Sequence, residues 1–437
     1  MEFIVKPSRL NGAVNIPGSK SHTIRALACG LLGDGESFIE HPLDSSDTRS
    51  CLNMVRNFGA RVDTQTGVWK IIGTGGKLAV PADIIDVGNS GTSLYIGLGL
   101  ASLVDGYSVF TGDHQIRSRP ADGLIASIND LGGVAFSTRG NGMPPVVVKG
   151  RITGGTTEIQ AVTSQYLTSL LIAAPLAERK TVIKVPLLNE KPYVAMTLCW
   201  LDKLGIRFAE GNYEVFTIPG GQKYRTFREN IAADFSSATF FLVAAAITGS
   251  ELVLRGLDWS DTQGDKEVVN ILKFMGAGIN IGKNEITVSG GRLNGGIFDL
   301  NAIPDSLPAL SVAACFADGE TRLVNVPQAR LKETDRIRVM HDELVKMGAR
   351  VEELPDGLVI RRSSLRGCRV SGHHDHRVAM ALAVAGLAAD GETRIETAES
   401  VSVTFPDFPD LMKSIGADIK RMELQYDGTG NTGSDNR

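Results

Sequence analysis

Residues 234–247 read DFSSATFFLVAAAI, a polar cluster followed by an apolar run of helical length. Five other stretches share this plan, at a spacing of about 70 residues, and such self-similarity indicates repeated copies of one supersecondary unit. The five are SKSHTIRALACGLL from Ser19, GNSGTSLYIGLGLA from Gly88, TSQYLTSLLIAAPLA from Thr163, PDSLPALSVAACFA from Pro304 and DHRVAMALAVAGLA from Asp375.

Each copy continues in the same order. A turn leads into a β-type run, as in DGETRLV at 318–324 and DGETRIE at 390–396, and a second, amphipathic helix follows. Alternation of helices and strands predicts an α/β fold with helices packed on sheets. The first helix of each unit is apolar nearly all round and should be buried, whereas the second should lie outside. The second helices stop at Gly59, Gly132, Gly205, Gly276, Gly348 and Gly416.

The polar clusters predict a binding site. Backbone N–H groups at a helix N-terminus bind anions. If the six buried helices point the same way, their N-termini meet at one surface, and two globes facing each other would enclose them. We therefore expect an anion-binding cleft between two halves of three units each.

The length of the chain favours two globes. A chain of 437 residues is long for a single core. The turn-rich segment 211–230 lies between the third and fourth units and is the expected crossover. We predict a first globe over 14–225, a second globe over 1–13 plus 226–425, and a disordered tail over 426–437.

Composition narrows the class of partner. The formal net charge is -4, which argues against nucleic acid, so local cations must attract small anionic substrates. No apolar stretch is long enough to span a bilayer, and the N-terminus lacks the layout of a signal peptide. Five scattered cysteines suit a reducing compartment. We expect a cytoplasmic monomer that binds neither membrane nor nucleic acid.

The first polar cluster contains a cation in an unfavourable place. Lys20 stands at the positive end of its helix, where a second cation is disfavoured unless an anion pairs with it. Arg25 follows Ser21 by one turn and offers a bidentate fork for a carboxylate. The alternative, a capped helix with solvated charges, stays open for this segment alone.

Three other features invite a chemical interpretation. Asp305 opens the fifth apolar helix, either as a helix cap or as a carboxylate base. The charged stretch 330–336 alone suits a solvated helix. The cluster around His376 could suggest a metal, but adjacent histidines diverge on a helix and no HExxH or paired CxxC accompanies them. We therefore expect no metal, and GxxxxGK and GxGxxG nucleotide motifs are absent from the sequence.

Seven motifs in order carry a resemblance to a known family. They are PGSKSHTIRAL (17–27), GNSGTS (88–93), TSQYLTSLLIAAPLA (163–177), KPYVAMTL (191–198), IPD (303–305), RLKETDRI (330–337) and DHRVAMA (375–381). From Phe3 to about Ile419 the chain resembles the 5-enolpyruvylshikimate-3-phosphate synthase family of enolpyruvyl transferases. The resemblance implies a two-globe α/β fold of six βαβαββ units, three per globe, and no cofactor.

The resemblance also implies an activity and roles for particular residues. The family moves the enolpyruvyl group of phosphoenolpyruvate to the 5-hydroxyl of shikimate 3-phosphate, in the shikimate pathway to chorismate and aromatic amino acids. Asp305 resembles the base for that hydroxyl, and Lys20 and Glu333 resemble the pair that moves protons to and from the methylene group. Implied shikimate-side ligands are Ser21, Arg25, Thr163, Ser164, Gln165, Tyr193 and Lys332; implied phosphoenolpyruvate-side ligands are Gly91, Arg336, His376 and Arg377.

Four positions depart from the family pattern. Tyr95, Gln115 and Val403 stand where the family has cations on the phosphoenolpyruvate side, and Glu190 stands where it usually has serine. Two enzymatic hypotheses follow. One is a transferase with a rebuilt cation clamp, to which Arg117 or Arg119 would contribute. The other is a divergent enzyme that lost phosphoenolpyruvate binding and catalyses elimination on a shikimate-like cyclohexene carboxylate. A non-catalytic binding protein is a third.

Overall fold

A computed structural model describes residues 1–423 and contains two separate hydrophobic cores. One core lies between Ile24 and Ile231 and belongs to what we name the first globe. The other combines residues from Phe3 to Ile16 with residues from Ala233 to Ile419, and belongs to the second globe. The tail predicted at 426–437 lies outside the described residues. Within them, no helix combines the length and apolar character needed to cross a membrane.

Twelve α-helices occur in the described chain, two for each repeat unit. In the first globe they are α1 (Lys20–Leu32), α2 (Ser46–Asn57), α3 (Gly91–Ala101), α4 (Asp122–Asp130), α5 (Ser164–Ala173) and α6 (Lys191–Lys203). In the second globe they are α7 (Phe235–Thr248), α8 (Glu267–Met275), α9 (Leu307–Cys315), α10 (Arg336–Lys346), α11 (His376–Gly386) and α12 (Phe408–Ser414).

The strands are short, as expected for a fold made of small repeated sheets. Up to the middle of the chain they are β1 (Glu2–Lys6), β2 (Asn11–Asn15), β3 (Glu36–Glu40), β4 (Arg61–Asp63), β5 (Val68–Ile72), β6 (Ile85–Asp86), β7 (Tyr107–Thr111), β8 (Val134–Ser137), β9 (Val146–Lys149), β10 (Gly155–Ala161), β11 (Thr181–Leu188) and β12 (Ala209–Gly211). They continue as β13 (Val215–Ile218), β14 (Arg228–Asn230), β15 (Glu251–Arg255), β16 (Gly278–Ile281), β17 (Glu285–Ser289), β18 (Ile297–Asp299), β19 (Glu320–Val324), β20 (Arg350–Leu354), β21 (Gly357–Arg361), β22 (Arg369–Ser371), β23 (Thr393–Glu396) and β24 (Asp418–Met422).

These strands form six four-stranded sheets with one pairing scheme, a parallel pair extended by two antiparallel strands. The predicted six-unit α/β architecture is thereby confirmed. In the first globe the sheet orders are β14-β3-β5-β4, β6-β7-β9-β8 and β10-β11-β13-β12. In the second globe they are β16-β17-β15-β2, β18-β19-β21-β20 and β22-β23-β1-β24.

The two helices of a unit differ in burial as their sequences predict. Every residue of α3 is buried, and α7 is buried from Phe235 to Ala246, because neither helix has a polar face. The second helices bury one face only, as in α10. Each of the six glycines after these helices has a positive φ, which a residue without Cβ adopts at no steric cost.

The chain crosses between the globes at residues other than the predicted boundaries, 14 and 225, as the pairing of two strands shows. Residues Asn11–Asn15 pair with β15 in the second globe, whereas Arg228–Asn230 pair with β3 in the first. The strands that precede the crossings, β2 and β14, each belong to the parallel pair of their sheet. The chain therefore passes between the globes just after Asn15 and just after Asn230.

Candidate functional site

The cleft is built from the N-termini of the buried helices. Side chains cap α1, α3, α5, α7 and α11, and a single 3-10 turn at Pro304–Ser306 precedes α9. A small cavity of about 30 Å³ lies between the globes, lined by Lys20, Ser21, Arg25, Thr92, Ser164, Gln165, Glu190, Tyr193, Asp305 and Lys332.

Polar contacts join the globes across this cleft. The Lys332 ammonium of the second globe pairs with the Glu190 carboxylate of the first. Tyr193 donates its hydroxyl hydrogen to Asp265 Oδ2 at 2.7 Å. Away from the cavity, His22 Nε2 lies 3.1 Å from Asp261 Oδ1. The cleft is therefore closed, and polar and charged side chains of the two globes pair with one another across it.

Arg336 is the centre of the charge network in the second globe. Its side chain is 1% exposed, and its guanidinium contacts three carboxylates. Nε donates to Asp375 Oδ2 at 2.7 Å, Nη1 to Asp305 Oδ1 at 2.6 Å and Nη2 to Glu333 Oε2 at 2.5 Å. Arg336 is the first residue of α10, so the start of that helix fixes the position of the network.

Asp305 lies between two arginines. Besides Arg336, Arg377 places Nη2 at 3.0 Å from Asp305 Oδ2 and is held by a 2.6 Å hydrogen bond from Nη1 to Ser236 Oγ. Burial alone would raise the pKa of Asp305, but Arg377, Lys332 and Arg336 together hold it well below the usual range. The carboxylate is therefore ionised, and the same cations make it a weak base in this closed arrangement.

Of the other two predicted catalytic residues, Glu333 belongs to the Arg336 network and Lys20 pairs with a different carboxylate. Glu333 is buried, which opposes ionisation, yet Arg336 and Arg119 hold its pKa well below the usual range. Lys20 Nζ lies 3.2 Å from Asp47 Oδ2. Asp47 was not predicted as a site residue, because an acidic residue in the first turn of α2 is favoured by the helix dipole in any case.

His376 and Gly91 are the first residues of two of the buried helices, α11 and α3. Burial is the main reason why the pKa of His376 is well below that of free histidine, so the imidazole is neutral. Neither ring nitrogen of His376 has a hydrogen-bond partner in residues 1–423.

Arg25 is more enclosed than a simple carboxylate fork. Its nitrogens donate at 3.0 Å to Thr197 Oγ1, to the carbonyl oxygen of Ser21 and to the carbonyl oxygen of Tyr193. Burial lowers its pKa to about 10. Arg25 therefore fixes α1 against α6, and lines the cavity from this position.

The three residues that replace the family's cations on the phosphoenolpyruvate side bring no positive charge to the structure. The Tyr95 hydroxyl donates to the carbonyl oxygen of Pro120 at 2.9 Å. Gln115 accepts a hydrogen bond from Asn89 through Oε1. Val403 is half-buried at the end of the 3-10 segment Ala398–Val403. None of these positions supplies a cation to the cleft.

Arg119 does supply a cation, and Arg117 does not. Arg119 is 7% exposed, and its Nη2 lies 3.1 Å from Glu333 Oε1 across the cleft. Its Nε and Nη2 have no well-aligned hydrogen-bond partner among the described residues. A Cβ added at Gly91 would lie 2.0 Å from Arg119 Nη1, so glycine there makes room for the guanidinium. Arg117 is exposed and donates to the carbonyl oxygen of Gly112.

No group of three or more His, Cys, Asp or Glu side chains in residues 1–423 is arranged to hold a metal ion. The cleft instead combines arginine, lysine and carboxylate groups, which bind and neutralise anions and move protons. Fold and site together define a two-globe protein with an anion-binding, acid–base cleft between repeated α/β units.

Comparisons with known proteins agree on one family. The sequence profile of EPSP synthase (3-phosphoshikimate 1-carboxyvinyltransferase) matches residues 4–412. A 3-phosphoshikimate 1-carboxyvinyltransferase of Ruminiclostridium cellulolyticum is 56% identical, covering 95% of this chain and 99% of the relative. One of Acetivibrio thermocellus is 55% identical, covering 96% and 99%. The solved EPSP synthase of Acinetobacter baumannii superposes with a TM-score of 0.81 at 29% identity, covering 96% of this chain and all of that one.

The chain belongs to the EPSP synthase family. Its members are enolpyruvyl transferases of the shikimate pathway, which leads to the aromatic amino acids. The resemblance stated from the sequence motifs is thereby confirmed.

Asp265 gives the cleft a pH-dependent effect on stability. Burial, and then the nearby Asp305 charge, raise the pKa of Asp265 from 3.8 to about 6. A folded-state pKa above the unfolded value means that protonation stabilises the fold, so this contribution is complete below 3.8 and is lost as the pH rises through about 6. Asp265→Asn is neutral at every pH. We expect its free energy of unfolding at pH 7 to exceed that of the wild type by about 1–3 kcal/mol. The difference should be smaller at pH 4.5.

The measurement is urea unfolding of both proteins at the two pH values. Asp202→Asn, at an exposed position of α6, is the control and should show no such pH-dependent difference. A difference between Asp265→Asn and wild type that is equal at both pH values would contradict the raised pKa.

Proposed function

We propose that this protein transfers the enolpyruvyl group of phosphoenolpyruvate to the 5-hydroxyl of shikimate 3-phosphate. The observation that carries the proposal is the Asp305 carboxylate, held ionised between Arg336 and Arg377 at the end of the cavity that Lys20 and Glu190 also line. The curated relatives at 55% and 56% identity carry the name of this transferase.

The charges in the cleft suit an addition followed by an elimination. Lys20 donates a proton to the methylene carbon of phosphoenolpyruvate, the 5-hydroxyl oxygen bonds to C2, and Asp305 accepts the hydroxyl proton. The C2–O bond to phosphate then breaks, and Glu333 accepts a proton from the methyl group to restore the double bond. Despite its burial, Glu333 is anionic beside Arg336 and Arg119, so it is unprotonated at the start of this step. Fixed cations beside the developing charge lower the barrier.

We assign the rebuilt cation clamp to Arg119. It lies against Gly91, its Nε has no hydrogen-bond partner within residues 1–423, and its Nη2 faces Glu333 Oε1 at 3.1 Å. An anion placed there would gain charge-assisted hydrogen bonds. With Lys20, Arg336 and Arg377, this position offsets the cations missing at 95, 115 and 403.

The test is phosphate release, measured with each substrate varied. The wild type should release phosphate only when both substrates are present. Arg119→Ala should raise the KM for phosphoenolpyruvate by about 10- to 100-fold, since a hydrogen bond to a charged group is worth about 1.5–3 kcal/mol. The KM for shikimate 3-phosphate should change much less, and Arg119→Lys should restore part of the loss.

Arg117→Ala is the matched control, because it removes a neighbouring exposed cation, and should leave both KM values unchanged. Wild-type protein without phosphoenolpyruvate-dependent phosphate release would overturn the proposed function. An unchanged KM for phosphoenolpyruvate in Arg119→Ala would overturn only the role of Arg119.

The remaining expectations belong to the same proposal. We infer a monomer that works in the cytoplasm on small anions and binds no nucleic acid. The net charge of -4 and the five cysteines, all of them free thiols, are compatible with this setting.

A further inference from the structure

Glu190 occupies the centre of a set of hydrogen-bond donors on the acceptor side of the cleft. Its side chain is 2% exposed. Oε2 accepts from the Ser164 backbone N–H at 3.1 Å, from Ser164 Oγ at 2.7 Å and from Thr163 Oγ1 at 3.2 Å. Oε1 accepts from the Lys332 ammonium of the other globe. One carboxylate thus uses four donors.

The donors form an anion-binding site in their own right. Ser164 is the first residue of α5, so its N–H lies at the positive end of a helix. Two hydroxyls and an ammonium complete the arrangement, and all four groups donate. Such a set stabilises any oxyanion of suitable size. Here the oxyanion is a side chain of the protein itself.

The backbone at Glu190 shows that this placement is fixed by its surroundings. Glu190 has φ 58 and ψ 41, a left-handed conformation that non-glycine residues seldom adopt. Such conformations cost about 1–3 kcal/mol and persist only where neighbouring contacts hold them. The contacts around it are the four donors to the carboxylate, a 3.4 Å hydrogen bond from the Glu190 backbone N–H to Asn301 Oδ1, and one from the Tyr193 backbone N–H to the Glu190 carbonyl oxygen.

We propose that Glu190 is an internal occupant of the acceptor-side anion site, and that an acceptor phosphate binds at Thr163, Ser164 and Lys332 only by displacing its carboxylate. Glu190 is thereby a specificity-determining residue. Because its carboxylate must be displaced, a phosphate group adds less to the affinity of an acceptor than it would if the site were empty. The identity of the acceptor rests on the proposed function, whereas the displacement does not.

Glu190→Ser tests the displacement, with inorganic phosphate as the probe in titration calorimetry. The serine variant should bind phosphate at least about tenfold more tightly than the wild type, a change of about 1.4 kcal/mol. Its KM for shikimate 3-phosphate should fall by a similar factor, while the KM for phosphoenolpyruvate stays the same. Glu190→Gln keeps the size of the side chain and removes the charge, so an intermediate gain is expected even if serine perturbs folding.

The control separates displacement from simple opening of the cleft. Asp261→Ala removes the contact with His22 between the globes without touching the donors around Glu190. It should leave phosphate affinity unchanged. An equal gain in this variant, or no gain in either Glu190 variant, would overturn the inference. A gain in both Glu190 variants without any transferase activity would support the inference and reject the proposed function.

Discussion

Asp305→Asn is expected to lower kcat for phosphoenolpyruvate-dependent phosphate release by about 10²- to 10⁴-fold, the usual contribution of a general base. Asparagine keeps the shape of the side chain, but its single oxygen can accept from only one of the two arginines, Arg336 or Arg377, that contact the carboxylate. It cannot take the proton of the attacking hydroxyl. The loss should therefore appear in kcat, with KM for both substrates changed far less.

The assay is continuous phosphate release at saturating substrates, with urea unfolding to confirm that the variant is folded. Asp299→Asn, an exposed carboxylate at the end of β18, is the control and should retain wild-type activity. If Asp305→Asn turns over at the wild-type rate, the base is another residue.

Arg336→Met is expected to have the largest effect on stability, about 3–5 kcal/mol, and to abolish activity. Methionine replaces the length of the side chain but leaves three carboxylates without their shared cation. Asp375 is fully buried, so its charge gains no compensation from water. Removing one partner of a buried ion network leaves uncompensated charge, which costs more than the pairing itself contributes.

Urea unfolding at pH 7 measures this loss. Arg338→Met is the matched control, since Arg338 is exposed on the same helix and pairs with Asp342 at 3.0 Å. An exposed pair of this kind is worth less than about 1 kcal/mol. A difference between Arg336→Met and wild type no larger than that of the control would show that the network does not stabilise the fold.

The periodic features of the chain could be predicted because they repeat. Six polar clusters, six apolar helices and six terminal glycines reinforce one another, and each follows from local chemistry such as capping or positive φ. The crossings between globes could not be predicted as well. The pairing of β14 with β3 joins residues far apart in sequence, and only the completed sheet requires it.

The candidate site divides in the same way. Short sequence motifs identify the residues that they contain, such as Asp305 and Lys332. They do not reveal what a side chain meets across the cleft. Arg119 could be proposed only as one of two arginines, and the space beside Gly91 selects it. The contact of Glu190 with Lys332 joins different globes, so the residues next to either of them in the sequence do not predict it.

The position of β1 has a consequence for synthesis on the ribosome. It lies between β23 and β24, so the first strand to be made waits for the last two. The core of the first globe, by contrast, is continuous from Ile24 to Ile231 and can assemble while translation proceeds. Phe3 and Val5, both buried in the finished protein, must stay unpaired until nearly the whole chain has emerged. The second globe is therefore completed last, and its opening strand is the segment that needs protection in the meantime.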